Sequence, residues 1–288
     1  MARVILDSKD LARVDQEFAV ESKVWEVLRE GSRSVDESDF VGVREVRVNV
    51  MTGFQSKPYQ RGADNPRSQV SVTKQTLRLE QEDWMGYDLD ALDQSENASY
   101  NVAEIVETHR RQVSIPAKDT RAVDKLVEYS EMEVEEAVTV ENSLEVFDAA
   151  EQYMIDNEIV GPYVLFASSE YYRTLKNNEK VTKTFTVNEV SINGINRKVG
   201  MLDNEIPIIT VPKARLQLFD GKHINFILVP LRVAAPIDKV NDVTLIPASS
   251  DRDGYRDTIK GLDYYDLIVF ENARKAIYVS YEVATPTP

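Results

Sequence analysis

The chain has 288 residues, 42% hydrophobic and 29% charged, enough to bury a sizeable core in one large or two modest domains. Its net charge of −15, from 34 basic and 49 acidic side chains, excludes a dedicated nucleic-acid binder built on a basic footprint. The absence of cysteine excludes disulfides, thiolate metal sites and a cysteine nucleophile, and two histidines, His109 and His223, leave little material for imidazole chemistry. No apolar run approaches the length of a membrane span, and the N-terminal stretch MARVILDSKDLARVDQEF is charged too early for a secretory leader. A cytoplasm-like compartment and no membrane partner are expected.

Residues 1–43 form an N-terminal arm. Leu11, Val14, Phe18, Val24, Trp25 and Leu28 fall at loosely helical spacing, which predicts a helix from Ser8 to Leu28 that Gly31 stops, followed by a polar linker. Such an arm docks on its own domain or on a neighbour.

The stretch from Arg44 to Glu80 organises the rest. Val46, Val48 and Val50 alternate with Arg47 and Asn49, and Val70, Val72, Leu77 and Leu79 resume the pattern, so two strands flank one loop. That loop, Gly53 to Gln69, is rich in Gly, Pro, Asn and Gln and has no period able to bury a face. Extended, the hairpin would reach roughly 60 Å at about 3.3 Å per residue along each limb, against a radius of gyration of about 19 Å for a compact chain of this size. A loop of this kind is built to contact something else. Its aromatic and arginine side chains, Phe54, Tyr59, Arg61 and Arg67, are the expected contacts.

Charge is segregated along the chain. Arg44 to Gln69 carries five basic residues and two acidic ones, whereas Glu80 to Glu107 holds nine carboxylates and Leu126 to Tyr172 twelve, both without Lys or Arg. A basic arm and acidic body blocks complement each other between copies. For most of those carboxylates the simpler reading is a solvated helix face.

Met85, Tyr87 and Leu89 predict another strand. Ala98, Val102, Ile105, Val106, His109 and Val113 then share one helical face up to Pro116, where a helix should end or kink, and Ala122, Val123, Leu126 and Val127 continue it. The result is a long spine helix, with His109 packed on its apolar stripe. Asn142 and Glu145 predict a capping box for a helix to about Asn157, with Leu144, Phe147, Ala150 and Met154 inward. Tyr163 to Ala167 is a buried strand. Ser168 or Ser169 after it is a helix cap; the glycines of a nucleophile elbow are missing. From Thr184 short strands follow, with an Asn193-Gly194 turn, and the chain closes on strands at Asp266–Phe270 and Ala276–Tyr281 around the ENARK turn.

Catalytic signatures are missing. No GxGxxG, Walker or HExxH pattern occurs. Ser249, Asp251, Asp253 and Gly254 echo half of a calcium loop, but Lys260 stands where a bidentate Glu is required. No catalytic residue, cofactor or metal is expected; the remaining enzyme reading, a carboxylate-dependent hydrolase, would need a deep pocket holding shifted carboxylates.

The succession of parts carries a resemblance. The arm, the extended loop, the strand MGYDLDALD, the spine segment VSIPAKDTRAVDKL, the unit ENSLEVFDAAEQYMIDNEIVGPYVLFASSEYYRTLKN, then GMLDNEIPIITVPKARL, NFILVPLRVAAPIDKVNDVTLI and DYYDLIVFENARKAIYVS together resemble the major capsid proteins of tailed double-stranded DNA bacteriophages over nearly the whole chain. The resemblance implies an α+β fold of the Hong Kong 97 type. It divides the chain into an N-arm (1–43), an extended loop (44–80), a peripheral domain with the spine helix (81–130), an axial domain (131–225) and return strands completing the peripheral domain (226–288). It further implies self-assembly into pentamers and hexamers of an icosahedral virion shell, built in the host cytoplasm, that packages double-stranded DNA non-specifically. The portal is an implied partner, as is a separate scaffolding protein, because the arm is too short for the cleaved scaffolding region of some members. Lys57 and Lys74 lie in or beside the loop, but no covalent crosslink is expected. An encapsulin-type protein nanocompartment shares the fold and differs in cargo.

Overall fold

In the computed structural model the described residues are 22–31, 44–62, 64–65, 67–90, 102–179, 186–192, 195–202, 206–216, 222–250 and 254–283. They build a mixed α+β architecture around two sheets and a projecting hairpin. In chain order the elements are α1 (Trp25–Gly31), β1 (Glu45–Thr52), β2 (Ser71–Arg78), β3 (Gln81–Asp90), α2 (Val102–His109), a π turn (Arg110–Ser114), α3 (Ile115–Glu128), β4 (Met132–Glu135), α4 (Ser143–Asp156), β5 (Tyr163–Ser168) and α5 (Ser169–Lys176). There follow β6 (Thr186–Ile192), β7 (Ile195–Leu202), β8 (Ile206–Val211), β9 (Lys222–Pro230), β10 (Ala234–Ile246), β11 (Arg256–Val269), a 3-10 turn (Glu271–Ala276) and β12 (Tyr278–Val283).

Seven strands form the larger sheet, in the order β4-β12-β9-β5-β8-β7-β6. Its central strands carry apolar runs, YVLFA in β5 and FILVP in β9, because both of their faces are covered there. The two-residue period of a strand sends Val164, Phe166, Ile227 and Val229 to one side, against α1 and α3. Leu165, Ala167, Phe226 and Leu228 go to the other, against α4 and α5. Ser168 caps α5, its hydroxyl accepting from the Tyr171 amide at 3.1 Å, a contact typically worth about 1 kcal/mol.

The smaller sheet, β10-β11-β3, is antiparallel. Met85 and Ile259 on one face pack against Val106 of α2. Here the helix does something the sequence pattern does not predict. Pro116 neither ends nor breaks it: α2 runs through the π turn into α3, with the Ile115 amide reaching back to the Arg110 carbonyl, one residue further than in an α-helix. The widened turn absorbs the missing proline amide. It also resets the helical phase, so Val113, expected on the apolar stripe, is 50% exposed and Arg110 is buried instead.

One further expectation is corrected. Asn142 does not cap α4; its Oδ1 accepts from the Thr139 amide at 2.7 Å and its Nδ2 donates to the Ala137 carbonyl at 3.0 Å, which spends the side chain on the preceding turn. The segment 1–43, read as one arm, places Val24, Trp25, Val27 and Leu28 inside the principal core; residues 1–21 lie outside the described range. Within the stretch 226–288, β9 lies between β12 and β5 and β12 between β4 and β9 in the larger sheet, while β10 and β11 join β3 in the smaller one. Pairing partners far apart in the chain leave no local trace. The Asn193-Gly194 turn and Asp251–Asp253 of the calcium echo lie outside the described residues.

Candidate assembly surfaces

The hairpin β1–β2 pairs without a break from Glu45 opposite Arg78 to Thr52 opposite Ser71. Its root is anchored. Val46 and Leu79 are buried against Ile237, Tyr264 and Ile268. The Leu79 amide donates to the Arg44 carbonyl at 2.8 Å, and Tyr264 Oη donates to the Leu79 carbonyl at 3.1 Å.

One carboxylate joins this root to the spine. Asp266 of β11, almost wholly buried, accepts from the Glu80 amide at 2.8 Å and from Arg121 of α3 through Nε at 2.9 Å and Nη2 at 3.1 Å. Arg121 Nη2 also reaches Glu80 at 3.0 Å, and Lys125 Nζ lies 3.4 Å from the same carboxylate. The hydrogen bond from Arg121, followed by the charge of Lys125, holds the Glu80 carboxyl below its usual range. Burial pulls the Arg121 guanidinium down, but the hydrogen bonds and charge of Asp266 and Glu80 outweigh it and the net shift is upward.

Beyond the root the hairpin meets solvent. Phe54 is 71% and Tyr59 78% exposed, and Arg61 and Arg67 are exposed on the same loop. The four predicted contact residues therefore all lie on the exposed loop between β1 and β2. Gly53 stands where the limbs converge, at φ +95°; a Cβ there would lie 2.6 Å from the Gln69 carbonyl oxygen. Asn65 closes the tip by accepting from the Gln60 amide at 2.8 Å and donating to the Gln60 carbonyl at 3.2 Å.

A second anchor went unnoticed in the sequence. Asp119 of α3, fully buried, accepts from Ser22 Oγ at 2.9 Å and from the amides of Lys23, Val24 and Trp25 at 2.8, 3.1 and 2.9 Å, and pairs with Arg215 at 2.8 Å. It caps α1 across the fold. The sequence around Asp119, PAKDTRAV, carries no such signal, whereas Asp266 inside YYDLIVF does, since a lone carboxylate in an apolar run is buried only when paired.

A cavity of about 340 Å³ between α1, α3 and β10 is lined by Arg29, Lys118 and Asp238, both cations pairing with the one carboxylate and Lys118 lying 2.8 Å from it. Burial raises the carboxyls of Asp124 and Glu136, yet neither lines that cavity. His109 Nδ1 sits 2.7 Å from Tyr87 Oη, and burial lowers its pKa. Among the described residues no group of His, Asp and Glu is placed to hold a metal ion, and no helix is long and apolar enough to cross a membrane.

No family model matches the sequence, and no curated protein matches it. Solved structures do. The fold is that of shell-building capsid proteins: the head structure of Helicobacter pylori bacteriophage KHP40 superposes with a TM-score of 0.64 at 11% identity, over 92% of this chain and 91% of that one. The mature capsid of bacteriophage PhiM1 gives 0.63 at 12% identity, over 91% and 87%, and a virus-like particle from Pyrococcus furiosus 0.57 at 10%, over 95% and 98%. Within that class, the projecting hairpin, spine helix and two sheets are those of the Hong Kong 97 fold.

Proposed function

We propose that the chain is the major capsid protein of a tailed double-stranded DNA phage, assembling into pentamers and hexamers of the icosahedral head. The observation that carries this reading is the hairpin: a long, basic, aromatic-tipped limb, bolted at its root and exposed beyond it, on a Hong Kong 97 body. A limb with no core of its own contributes free energy only by covering another surface. Each contact is weak or ordinary, about 1,600 Å² for a standard interface, and many such contacts per subunit close the shell. The net charge of −15 suits a container for a polyanion, since an acidic lining releases no counterions and does not trap DNA.

Electron microscopy of the protein, expressed alone and with its scaffolding partner, tests this reading: capsomer rings or closed particles are expected, and one small oligomer under every condition overturns it. Deleting residues 54–69 should leave a folded subunit that no longer closes shells. A second reading, an encapsulin-type protein nanocompartment, has less support, because the structural neighbours include phage capsids and heads. Particle contents decide between them, packaged DNA for the first and enclosed protein for the second.

A further inference from the structure

Two opposite charges sit where the fold of a single chain gives them nothing to pair with. The first is Arg274, in the 3-10 turn between β11 and β12. Its guanidinium carbon lies 4.6 Å from the centre of the Tyr129 ring, over which Lys125 Nζ also lies at 5.2 Å. Lys125 is matched by Glu128 at 2.9 Å and Glu80 at 3.4 Å. Arg274 is not: among the described residues no carboxylate pairs with it, and its Nε is buried without a hydrogen-bond partner. The ring face returns part of the cost of that unmet donor, and an acceptor would return the rest.

The second is Glu158, where the chain leaves α4. Two return bonds close that helix, from the Glu158 amide to the Ile155 carbonyl and from the Ile159 amide to the Met154 carbonyl, both at 3.0 Å. This Schellman exit holds Glu158 at φ +55°, the one non-glycine position in the left-handed region among the described residues. Glycine or asparagine is the usual occupant. A carboxylate there also stands at the wrong end of the helix dipole, and the last turn of α4 carries no basic residue to offset it. The side chain is exposed and makes no ion pair or hydrogen bond among the described residues. Beside it Ile155 and Val160 are 65% and 84% exposed, an apolar rim around a lone charge.

Each group lacks what the other supplies, and strain kept at an exposed residue is typical of a place that meets a partner. We propose that Arg274 of one copy of this chain receives Glu158 of a second copy, with Ile155 and Val160 shielding the pair from water. The inference rests on the shell reading above and deepens it, since it names a contact between the bodies of two subunits in which the hairpin takes no part. Stacking on Tyr129 orients the planar guanidinium in advance, so little side-chain freedom is lost when the carboxylate arrives.

Carbodiimide joins a carboxylate to an amine in contact with it as an amide, so Arg274→Lys keeps the charge and makes the contact recordable. Particles co-assembled from equal amounts of isotope-labelled and unlabelled Arg274→Lys chains, treated with a water-soluble carbodiimide and digested, should yield a peptide linking positions 158 and 274 whose two halves differ in isotope. Arg274→Glu and Glu158→Arg should each lower the assembled fraction by about tenfold or more, and the double variant should restore it. Glu158→Gly should move two readouts apart, raising the melting temperature of the free subunit by about 2 °C because glycine suits the turn, while lowering assembly. A linked peptide of matching isotope only, no linked peptide, or normal assembly of the single reversals overturns the proposal and leaves the shell reading standing. Absence of particles from the unsubstituted chain overturns both.

Discussion

Arg121 of the spine helix grips Asp266 of β11 through two nitrogens, Nε at 2.9 Å and Nη2 at 3.1 Å, and this fork is where helix, sheet and hairpin root converge. Asp266 is 1% exposed, so its charge survives burial only because it is paired. Arg121→Ala should therefore destabilise the subunit by about 3–5 kcal/mol, the usual cost of stranding a buried charge. Urea unfolding reads this as a lower midpoint at an unchanged slope. The double variant Arg121→Met/Asp266→Leu should recover only part of the loss, because it removes both charges yet leaves the Glu80 amide without the carboxylate it donated to.

Asp119→Asn removes the pair with Arg215 and leaves an amide whose single acceptor oxygen must serve donors now shared between two. A cost of roughly 2–3 kcal/mol is expected for hydrogen bonds to a charged group. The loss should be local. Hydrogen exchange ought to accelerate in 22–31 while α4, on the far side of the sheet, keeps its protection.

Glu80 gives the hairpin root an acid dependence of known sign. Its carboxyl is held below its ordinary value of 4.5 in the folded chain, so its contribution is fully present above that pH and is lost as pH falls through the lower, folded value. Hydrogen exchange across β1 and β2 should stay flat from neutral pH to about 4.5 and rise below it, relative to the intrinsic rate. Glu80→Gln should remove that inflection. Because the carboxylate is largely exposed, no large change in global stability accompanies it.

Phe54→Ala and Tyr59→Ala should each leave the subunit within about 0.5 kcal/mol of its original stability, since both rings are exposed and support nothing in the fold. Assembly should nonetheless fall, most for the double variant, in light-scattering assays of particle formation. Equal losses of assembly and of melting temperature would refute the assignment of these rings to an interface.

Much of the architecture is legible from local pattern. Alternation found β1, β2 and β3, a continuous apolar run found β5, helical spacing found α3 and α4, and a serine between strand and helix found the α5 cap. The same methods failed where a residue answers to a distant partner. Asn142 precedes Glu145 at capping-box spacing, but Thr139 and Ala137 claim its side chain. Val113 fits the apolar stripe until one π turn shifts the phase.

A long limb without a core of its own beside an acidic body is readable from residue order alone, because periodicity and composition are properties of neighbours in the chain. How that limb is held, and what it leaves uncovered, depends on the packed fold. Asp266, Arg121 and Glu80 meet, and Trp84 comes opposite Leu262, through strand register and helix packing between segments far apart in the chain. Those contacts are fixed by the closure of a shared core, which no single stretch of residues specifies.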